Sequence, residues 1–220
     1  MAGKRSYGDP CGIARALDLV GERWGLLVVR ELLLGPKRFT DLRAGLPNLS
    51  PDVLSQRLRD FERAGIAHRR KLAPPAGSWV YELTGWGHEL EPVVLALGRF
   101  GSRAPLEHVG NELGTDSLML ALKTLFDDDA AAGLDAGYEL RLGEEIFRVR
   151  VAGGVLEVAR GGAERPDAAI IAEPAVLRAL LWHGRSLGET IRAGDAAVEG
   201  DRAAVERFLT LFPVPEPAAG

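Results

Sequence analysis

The stretch from Ser50 to Gly65 constrains the fold more than any other part of this chain. Ser50 can accept a hydrogen bond from a first-turn amide, and Pro51 suits the first helical position. Asp52 favours the positive end of a helix dipole. Leu54, Leu58 and Phe61 follow at i, i+4 and i+7, and Gly65 supplies a stop. The spacing predicts a helix to about Arg63 with one buried stripe. At about 100° per residue, Asp52, Gln56, Arg59 and Arg63 point away from that stripe, with Ser55 and Asp60 on its flanks. Such a helix lies on a core and leaves a polar, cation-bearing face outside.

Its neighbours give that helix a context. Ile13, Leu17 and Val20 begin an amphipathic helix, and Trp24, Leu27, Val28 and Leu32 carry the spacing on to a stop at Gly35-Pro36. A short helix is expected from Phe39 to Leu46, capped by Thr40, and Pro47-Asn48-Leu49 makes a tight turn. Beyond Gly65, two strands, Ile66 to Leu72 and Trp79 to Leu83, flank a tip of Ala73 to Ser78. A last helix, Trp86 to Phe100, carries Leu90, Val93, Val94, Leu97 and Phe100 on one stripe. Short helices, a tight turn, a longer helix and a hairpin are the pattern of a winged helix-turn-helix.

The outward face is chemically suited to base edges in a major groove. Gln pairs bidentately with adenine and Arg with guanine, so Gln56 and Arg59 are the preferred readers. Ser50, Asp52 and Ser55 share that surface. Arg57 sits nearer the packed edge, where a phosphate and an intramolecular acid are equally within reach. On the hairpin, Arg69, Arg70 and Lys71 approach a tip containing Gly77 and Ser78. A wing placed there straddles phosphates or enters a minor groove, positioning the protein without telling sequences apart. Taken without the helix, three solvated charges on a surface hairpin explain the same residues.

Charge at first argues against a polyanionic partner, because the whole chain is −4. The average hides two halves. Residues 1–103 carry 16 Lys+Arg and 11 Asp+Glu, a balance of +5. Residues 104–220 carry 11 and 20, a balance of −9. The change falls near Gly101-Ser102-Arg103-Ala104-Pro105, so the expected domains are 1–103 and 104–220.

Other classes are set aside on similar grounds. The longest aliphatic runs are about five residues, whereas a membrane span needs roughly 20. Lys4 and Arg5 have no apolar stretch behind them, so Met1 to Pro10 is not read as a secretory signal. With Cys11 the single cysteine, neither an internal disulfide nor a Cys-rich zinc site is possible, and a cytoplasmic protein is expected. His68, His88, His108 and His183 are scattered without metal-ligand spacing. His183, after Trp182, reads as a helix-ending cation. Gly153-Gly154 and Gly161-Gly162 are strand connections rather than a dinucleotide fingerprint. No nucleophile elbow or phosphate loop occurs. The expectation is therefore no catalytic residue, no metal, no cofactor and no enzyme.

From Cys11 to Phe100 the chain resembles the HxlR-type, MarR-like branch of winged helix regulators. The resemblance lies in Cys11-Gly12-Ile13, Val20-Gly21-Glu22-Arg23-Trp24, Arg30-Glu31-Leu32-Leu33, Gly35-Pro36-Lys37-Arg38-Phe39 and Leu46 to Pro51. It continues through Leu54-Ser55-Gln56-Arg57-Leu58-Arg59, Ala64-Gly65-Ile66 and Tyr81-Glu82-Leu83-Thr84. It implies a homodimer on pseudo-palindromic, double-stranded operator DNA, with terminal helices pairing the subunits. Such proteins often read Cys-Pro near the start, whereas Gly12 follows Cys11 here. Some relatives use that cysteine as a redox or electrophile sensor. In this chain the alternative is a small side chain packing the N-terminal arm.

The second half has a different order. A helix from Asp116 to Phe126 precedes a hairpin of Tyr138–Leu142 and Phe147–Val151 joined at Gly143-Glu144, with one wet face. Strands near 155–160 and 168–172 follow, then helices near 174–183 and 186–192. A strand at 197–199 and a helix from Arg202 to Phe212 end the pattern. With Gly194 to Asp201, this order resembles a sterol-carrier-protein-like α+β domain. The resemblance implies a small hydrophobic ligand, or a dimerising module whose tunnel has closed. Met119, Leu122, Phe126, Phe147 and Trp182 are the candidate lining residues, although ordinary core packing is the simpler account of each, because a domain this small needs its large apolar side chains for packing. The fold class is thus α+β, a winged helix-turn-helix followed by a sterol-carrier-like domain. Its expected function is a dimeric regulator responsive to a hydrophobic ligand. The competing reading is a lipid carrier whose first half is an interaction module without DNA affinity.

Overall fold

The structure, a computed structural model, describes residues 6–104 and 113–218. Lys4, Arg5, Pro105 and His108 lie outside them. The chain packs as two compact units, Met1–Val94 and Leu95–Gly220.

The first unit begins with two helices where one continuous pattern was expected. Helix α1 spans Gly12–Val20 and α2 spans Gly25–Leu32. The break is local backbone chemistry. Gly21 caps α1, and Trp24 adopts φ 76°, a left-handed conformation that costs a side-chain-bearing residue about 1–2 kcal/mol. A Cβ on Gly25 would stand 2.4 Å from the Val20 carbonyl oxygen, so the corner closes only around glycine. Apolar periodicity runs through the corner, but of the α1 stripe only Val20 is buried, while Ile13 and Leu17 are exposed.

Helix α3 spans Phe39–Gly45. Its N-cap is Arg38 rather than Thr40. The Asp41 carboxylate, in the first turn, accepts from the Arg38 amide at 3.0 Å, and Thr40 lies inside the helix. Helix α4, Pro51–Ala64, starts and stops where its sequence signals lie. Ser50 Oγ accepts from Val53 N at 3.4 Å, and Gly65 takes φ 73° at the C-cap. Leu54, Leu58 and Phe61 are at most 1% exposed. Burial of each contributes about 1.5–3 kcal/mol, and this fixes the roll of α4 about its axis.

Strands β1 (Ala67–Lys71) and β2 (Trp79–Leu83) form the antiparallel hairpin, with His68 opposite Glu82 and Lys71 opposite Trp79. A bridge between Lys37 and Tyr81 adds a third, minimal strand. The helix expected from Trp86 to Phe100 is two: α5 (Gly85–His88), capped by Thr84, and α6 (Glu91–Gly101). Pro92, which has no N–H to give, falls in the first turn of α6.

In the second unit α7 spans Thr115–Leu125. Strands β3 (Ala136–Leu142), β4 (Glu145–Ala152), β5 (Val155–Arg160) and β6 (Ala168–Ala172) follow. Helices α8 (Pro174–Trp182) and α9 (Leu187–Arg192), strand β7 (Ala196–Gly200) and helix α10 (Arg202–Leu209) complete it. The last helix therefore ends one turn before the expected Phe212. The sheet order is β5-β4-β3-β6-β7, antiparallel except for the central pair β3–β6. Leu140, Phe147 and Ile170 stand in register on one face, all at 0% exposure, and α7, α9 and α10 pack against the sheet. Exposed Arg148 and Arg150 mark the opposite face of β4. That face is wet only in part, because Glu139 on β3 is buried by its bonds to Arg141 and to the amide of Ala163.

Candidate nucleic-acid interface

A buried charge cluster joins α2, the Lys37 bridge and the end of α3. Lys37 Nζ lies 2.6 Å from Glu31 Oε2, and Arg30 Nη2 lies 2.8 Å from Glu31 Oε1, with Glu31 only 2% exposed. Gly45 passes so close that a Cβ there would be 2.2 Å from Glu31 Oε2. Removing one partner of a buried pair costs about 3–5 kcal/mol, so α2, α3 and the wing bridge at Lys37 are locked together. Arg30-Glu31 and Lys37 stand in separate motif stretches, and their meeting leaves no mark in the sequence.

The predicted face of α4 is assembled as follows. Asp52, Arg59 and Arg63 are exposed, and Ser55, Gln56 and Arg57 are half-buried. Ser50 is exposed, but its hydroxyl serves as the helix cap. Gln56 Nε2 donates to Asp60 Oδ1 at 3.0 Å, and Arg59 Nη2 donates to Gln56 Oε1 at 2.9 Å. Arg63 also pairs with Asp60. Arg57 takes the intramolecular course: Nη2 is 3.0 Å from Asp60 Oδ2, Nη1 is 3.9 Å from Glu22, and its side chain is 15% exposed.

The wing divides its three cations. Arg69 lies over the Trp79 ring at 4.6 Å and near Tyr81 at 5.9 Å, a pair of cation–π contacts that holds the guanidinium in place. Together with Phe39, Ser55, Arg59 and Glu62, these three residues line a groove of about 530 Å³ between α4 and the hairpin. Arg70 instead bonds Glu82 across the hairpin, with His68 3.9 Å from the same carboxylate. That hydrogen bond raises the Arg70 pKa and holds the Glu82 carboxyl below its ordinary value. Lys71 is exposed, and Ser78 is half-buried at the tip, where its carbonyl accepts from Leu72 N at 2.9 Å. Trp79, Tyr81, Phe39 and Glu62 were missed as groove residues. The signal for them was the two-residue alternation of β2, which puts Trp79 and Tyr81 on the same face as Arg69.

Elsewhere, the candidates separate. Cys11 is exposed at the N-cap of α1, its amide donating to Asp9 Oδ1 at 2.8 Å. Met119, Leu122 and Phe147 are fully enclosed in the second unit, with Arg160 5.0 Å over the Phe147 ring. Phe126 and Trp182, both half-buried, converge on Phe212. The Phe126 ring is 6.2 Å from it, and Trp182 Nε1 donates to its carbonyl at 3.0 Å. Among the described residues no group of His, Cys, Asp and Glu could hold a metal, and no helix is long and apolar enough to cross a membrane.

Residues 19–108 match the family described as HxlR-like helix-turn-helix, and residues 107–218 match that described as alkyl sulfatase C-terminal. The chain is 35% identical over 97 residues to an uncharacterized HTH-type transcriptional regulator, YdeP, of Bacillus subtilis, covering 43% of this chain and 74% of YdeP. It is 35% identical over 78 residues to the HTH-type transcriptional regulator YodB of Bacillus subtilis, covering 36% of this chain and 70% of YodB. These relatives are named as transcriptional regulators, which are not enzymes. Among solved structures, the redox regulator HypR in its oxidized form matches with TM-score 0.41 at 30% identity, covering 43% of this chain and 98% of HypR. The quinone-bound form of YodB matches with TM-score 0.36 at 29% identity, covering 40% of this chain and 93% of that one. The second half's match carries the alkyl sulfatase description, whereas its sequence pattern resembles sterol-carrier proteins.

Proposed function

Because the chain belongs to the HxlR-like helix-turn-helix family through residues 19–108 and to the alkyl sulfatase C-terminal family through residues 107–218, we propose that it is a ligand-responsive, DNA-binding transcriptional regulator. Residues 1–103 form the DNA-binding and dimerising part, and 104–220 the sensing part. The observation that carries the reading is the exposed Arg59 on α4 beside Arg69 of the wing, in one groove of a half whose charge balance is +5. Arg59 enters a major groove, while Arg69 and Lys71 meet phosphates or a minor groove. Asp52, Ser55 and Ser78 border that contact. Exposed Ile13 and Leu17 on α1 support pairing of two copies through their first helices. A dimer sets two α4 helices against half-sites about one helical turn apart. Its place of work is the cytoplasm, where such regulators meet the chromosome.

The second unit is the sensor, a sterol-carrier-like α+β sheet with helices on one face. A small hydrophobic molecule would enter near Phe126, Trp182 and Phe212, at the margin of a core that already encloses Met119, Leu122 and Phe147. The existence of a quinone-bound YodB supports responsiveness of this kind of regulator to a small molecule. Cys11, exposed beside the first helix, is the residue through which an oxidant or electrophile would act. Ligand must bind two arrangements of the dimer unequally to change DNA affinity. Selection from a random duplex pool with the purified full chain tests the reading. Enrichment of a pseudo-palindrome with salt-sensitive affinity is expected, and recovery of no sequence refutes it. Bound lipid without DNA affinity would favour the carrier instead. If Cys11→Ser keeps the oxidant response, the sensing role of Cys11 falls.

A further inference from the structure

The polar face of α4 carries a continuous hydrogen-bonded chain. Asp60, with a side chain 10% exposed, is held by Arg57 Nη2 at 3.0 Å, by Arg63, and by Gln56 Nε2 at 3.0 Å. Gln56 Oε1 in turn accepts from Arg59 Nη2 at 2.9 Å. The two ends of this chain fix the amide between them. A carboxylate only accepts and a guanidinium only donates, so the Gln56 nitrogen must face Asp60 and its oxygen Arg59. Both hydrogen-bonding ends of Gln56 are therefore engaged within the helix.

That arrangement gives Gln56 work within the helix besides any contact with a base. Bidentate recognition of adenine needs the amide nitrogen and oxygen at once. One N–H and one oxygen lone pair of Gln56 stay open, but Asp60 and Arg59 already fix where the amide nitrogen and oxygen lie. Arg59 is placed differently. It has five donors, gives one N–H to Gln56, and is exposed at the mouth of the groove with Arg69.

We propose that Gln56 is a positioning residue and not a base reader: anchored on Asp60, it holds the Arg59 guanidinium toward one guanine in each half-site. The inference rests on the DNA-binding reading proposed above. Arg57 completes the device by fixing Asp60 from the buried side, so the chain reaches from the packed edge of α4 to its tip. Ordering Arg59 before contact removes part of the entropy that immobilising a long side chain otherwise costs. Loss of that ordering corresponds to roughly a 2- to 10-fold drop in affinity for the guanine-bearing site.

The test uses the full chain, a random duplex pool, and competition titrations on the selected duplex and its single-base variants. Gln56→Met keeps length and helix propensity while removing both hydrogen bonds. The expected result is a guanine preference weakened roughly 2- to 10-fold at the position that Arg59→Ala abolishes, with other positions unchanged. The salt dependence stays as in the wild type, because no phosphate contact is lost. The double variant Gln56→Met/Arg59→Ala behaves as Arg59→Ala alone. Asp60→Asn, whose NH2 must face a donor of Arg57 or of Gln56 and Arg63, loosens the anchor and weakens the preference at that same position. Relaxation at a second base position in Gln56→Met overturns the proposal, as does a double variant whose loss is the product of the two singles. A wild-type chain that selects no sequence removes the DNA-binding reading itself, a separate failure.

Discussion

Gly45→Ala gives a direct measure of the buried charge cluster that joins α2, α3 and Lys37. A Cβ at that position would lie 2.2 Å from Glu31 Oε2 and 2.8 Å from Glu31 Cδ, so the carboxylate must move. It is the far end of a flexible side chain, but it is 2% exposed and held by Lys37 at 2.6 Å and Arg30 at 2.8 Å. Displacement breaks at least one hydrogen bond to a charged group, each contributing about 1.5–3 kcal/mol. Replacing glycine near a helix end returns about 0.5–1 kcal/mol of backbone entropy. The net expectation is a loss of about 1–2 kcal/mol. With a urea m-value of about 1–3 kcal/mol/M, the unfolding midpoint falls by about 0.3–2 M. Glu31→Ala alone costs more, because it removes the buried carboxylate that both Lys37 and Arg30 hold. In that background, however, Gly45→Ala has nothing to displace and should be neutral or slightly stabilising. Urea unfolding of the full chain, followed by circular dichroism for all four proteins of the cycle, measures the coupling. An equal penalty for Gly45→Ala with and without Glu31, or a gain in the wild type, refutes the reasoning.

Three further outcomes follow from the structure. The Tyr138 hydroxyl is buried with no hydrogen-bond partner among the described residues, so Tyr138→Phe should be neutral or stabilise the chain by up to about 1 kcal/mol in the same assay. A loss larger than about 1 kcal/mol would mean that the hydroxyl is engaged. Glu139 is held below the ordinary carboxylate value by the Ala163 amide and by Arg141, so its stabilisation is fully present above about pH 4.3. That contribution disappears as pH falls through the lower folded value. Wild type should therefore lose its advantage over Glu139→Gln only in acid, as read by urea midpoints at pH 6 and below pH 4. Arg69→Ala should reduce the slope of log affinity against log salt by about 1, whereas Arg70→Ala, already paired with Glu82, should change it little. Equal slope changes in filter-binding titrations would contradict this division of the wing.

Legibility in the sequence followed the range of the forces involved. Helix α4 was readable to within a residue, because cap, proline, apolar stripe and terminal glycine are local and agree. The strands at 79–83 and 168–172 were readable for similar reasons. The corner at Gly21–Trp24 was not, since a left-handed tryptophan leaves no mark in hydrophobic periodicity. Nor was the split between α5 and α6, where apolar spacing runs on either side of Pro92. At the candidate site the cations were all visible, but their partners were not. Whether Arg70 faces solvent or Glu82 depends on cross-strand register, and the fate of Arg57 depends on Asp60 and on Glu22 of another element. The same limit applied to Thr40, whose role as cap passed to Arg38 and Asp41 through a bond one turn along.

The central claim is that Arg59 of α4 meets a base edge, and it is tested most directly by a cycle that pairs residue with base. Fluorescence anisotropy would give the affinities of wild type and Arg59→Ala for the selected duplex. The same two proteins would then be titrated with that duplex after its specified guanine is exchanged for adenine. A bidentate contact predicts that either change alone weakens binding by about 1–3 kcal/mol and that the second change then adds almost nothing. Full additivity of the two losses would show that Arg59 does not touch that base, and would contradict the account.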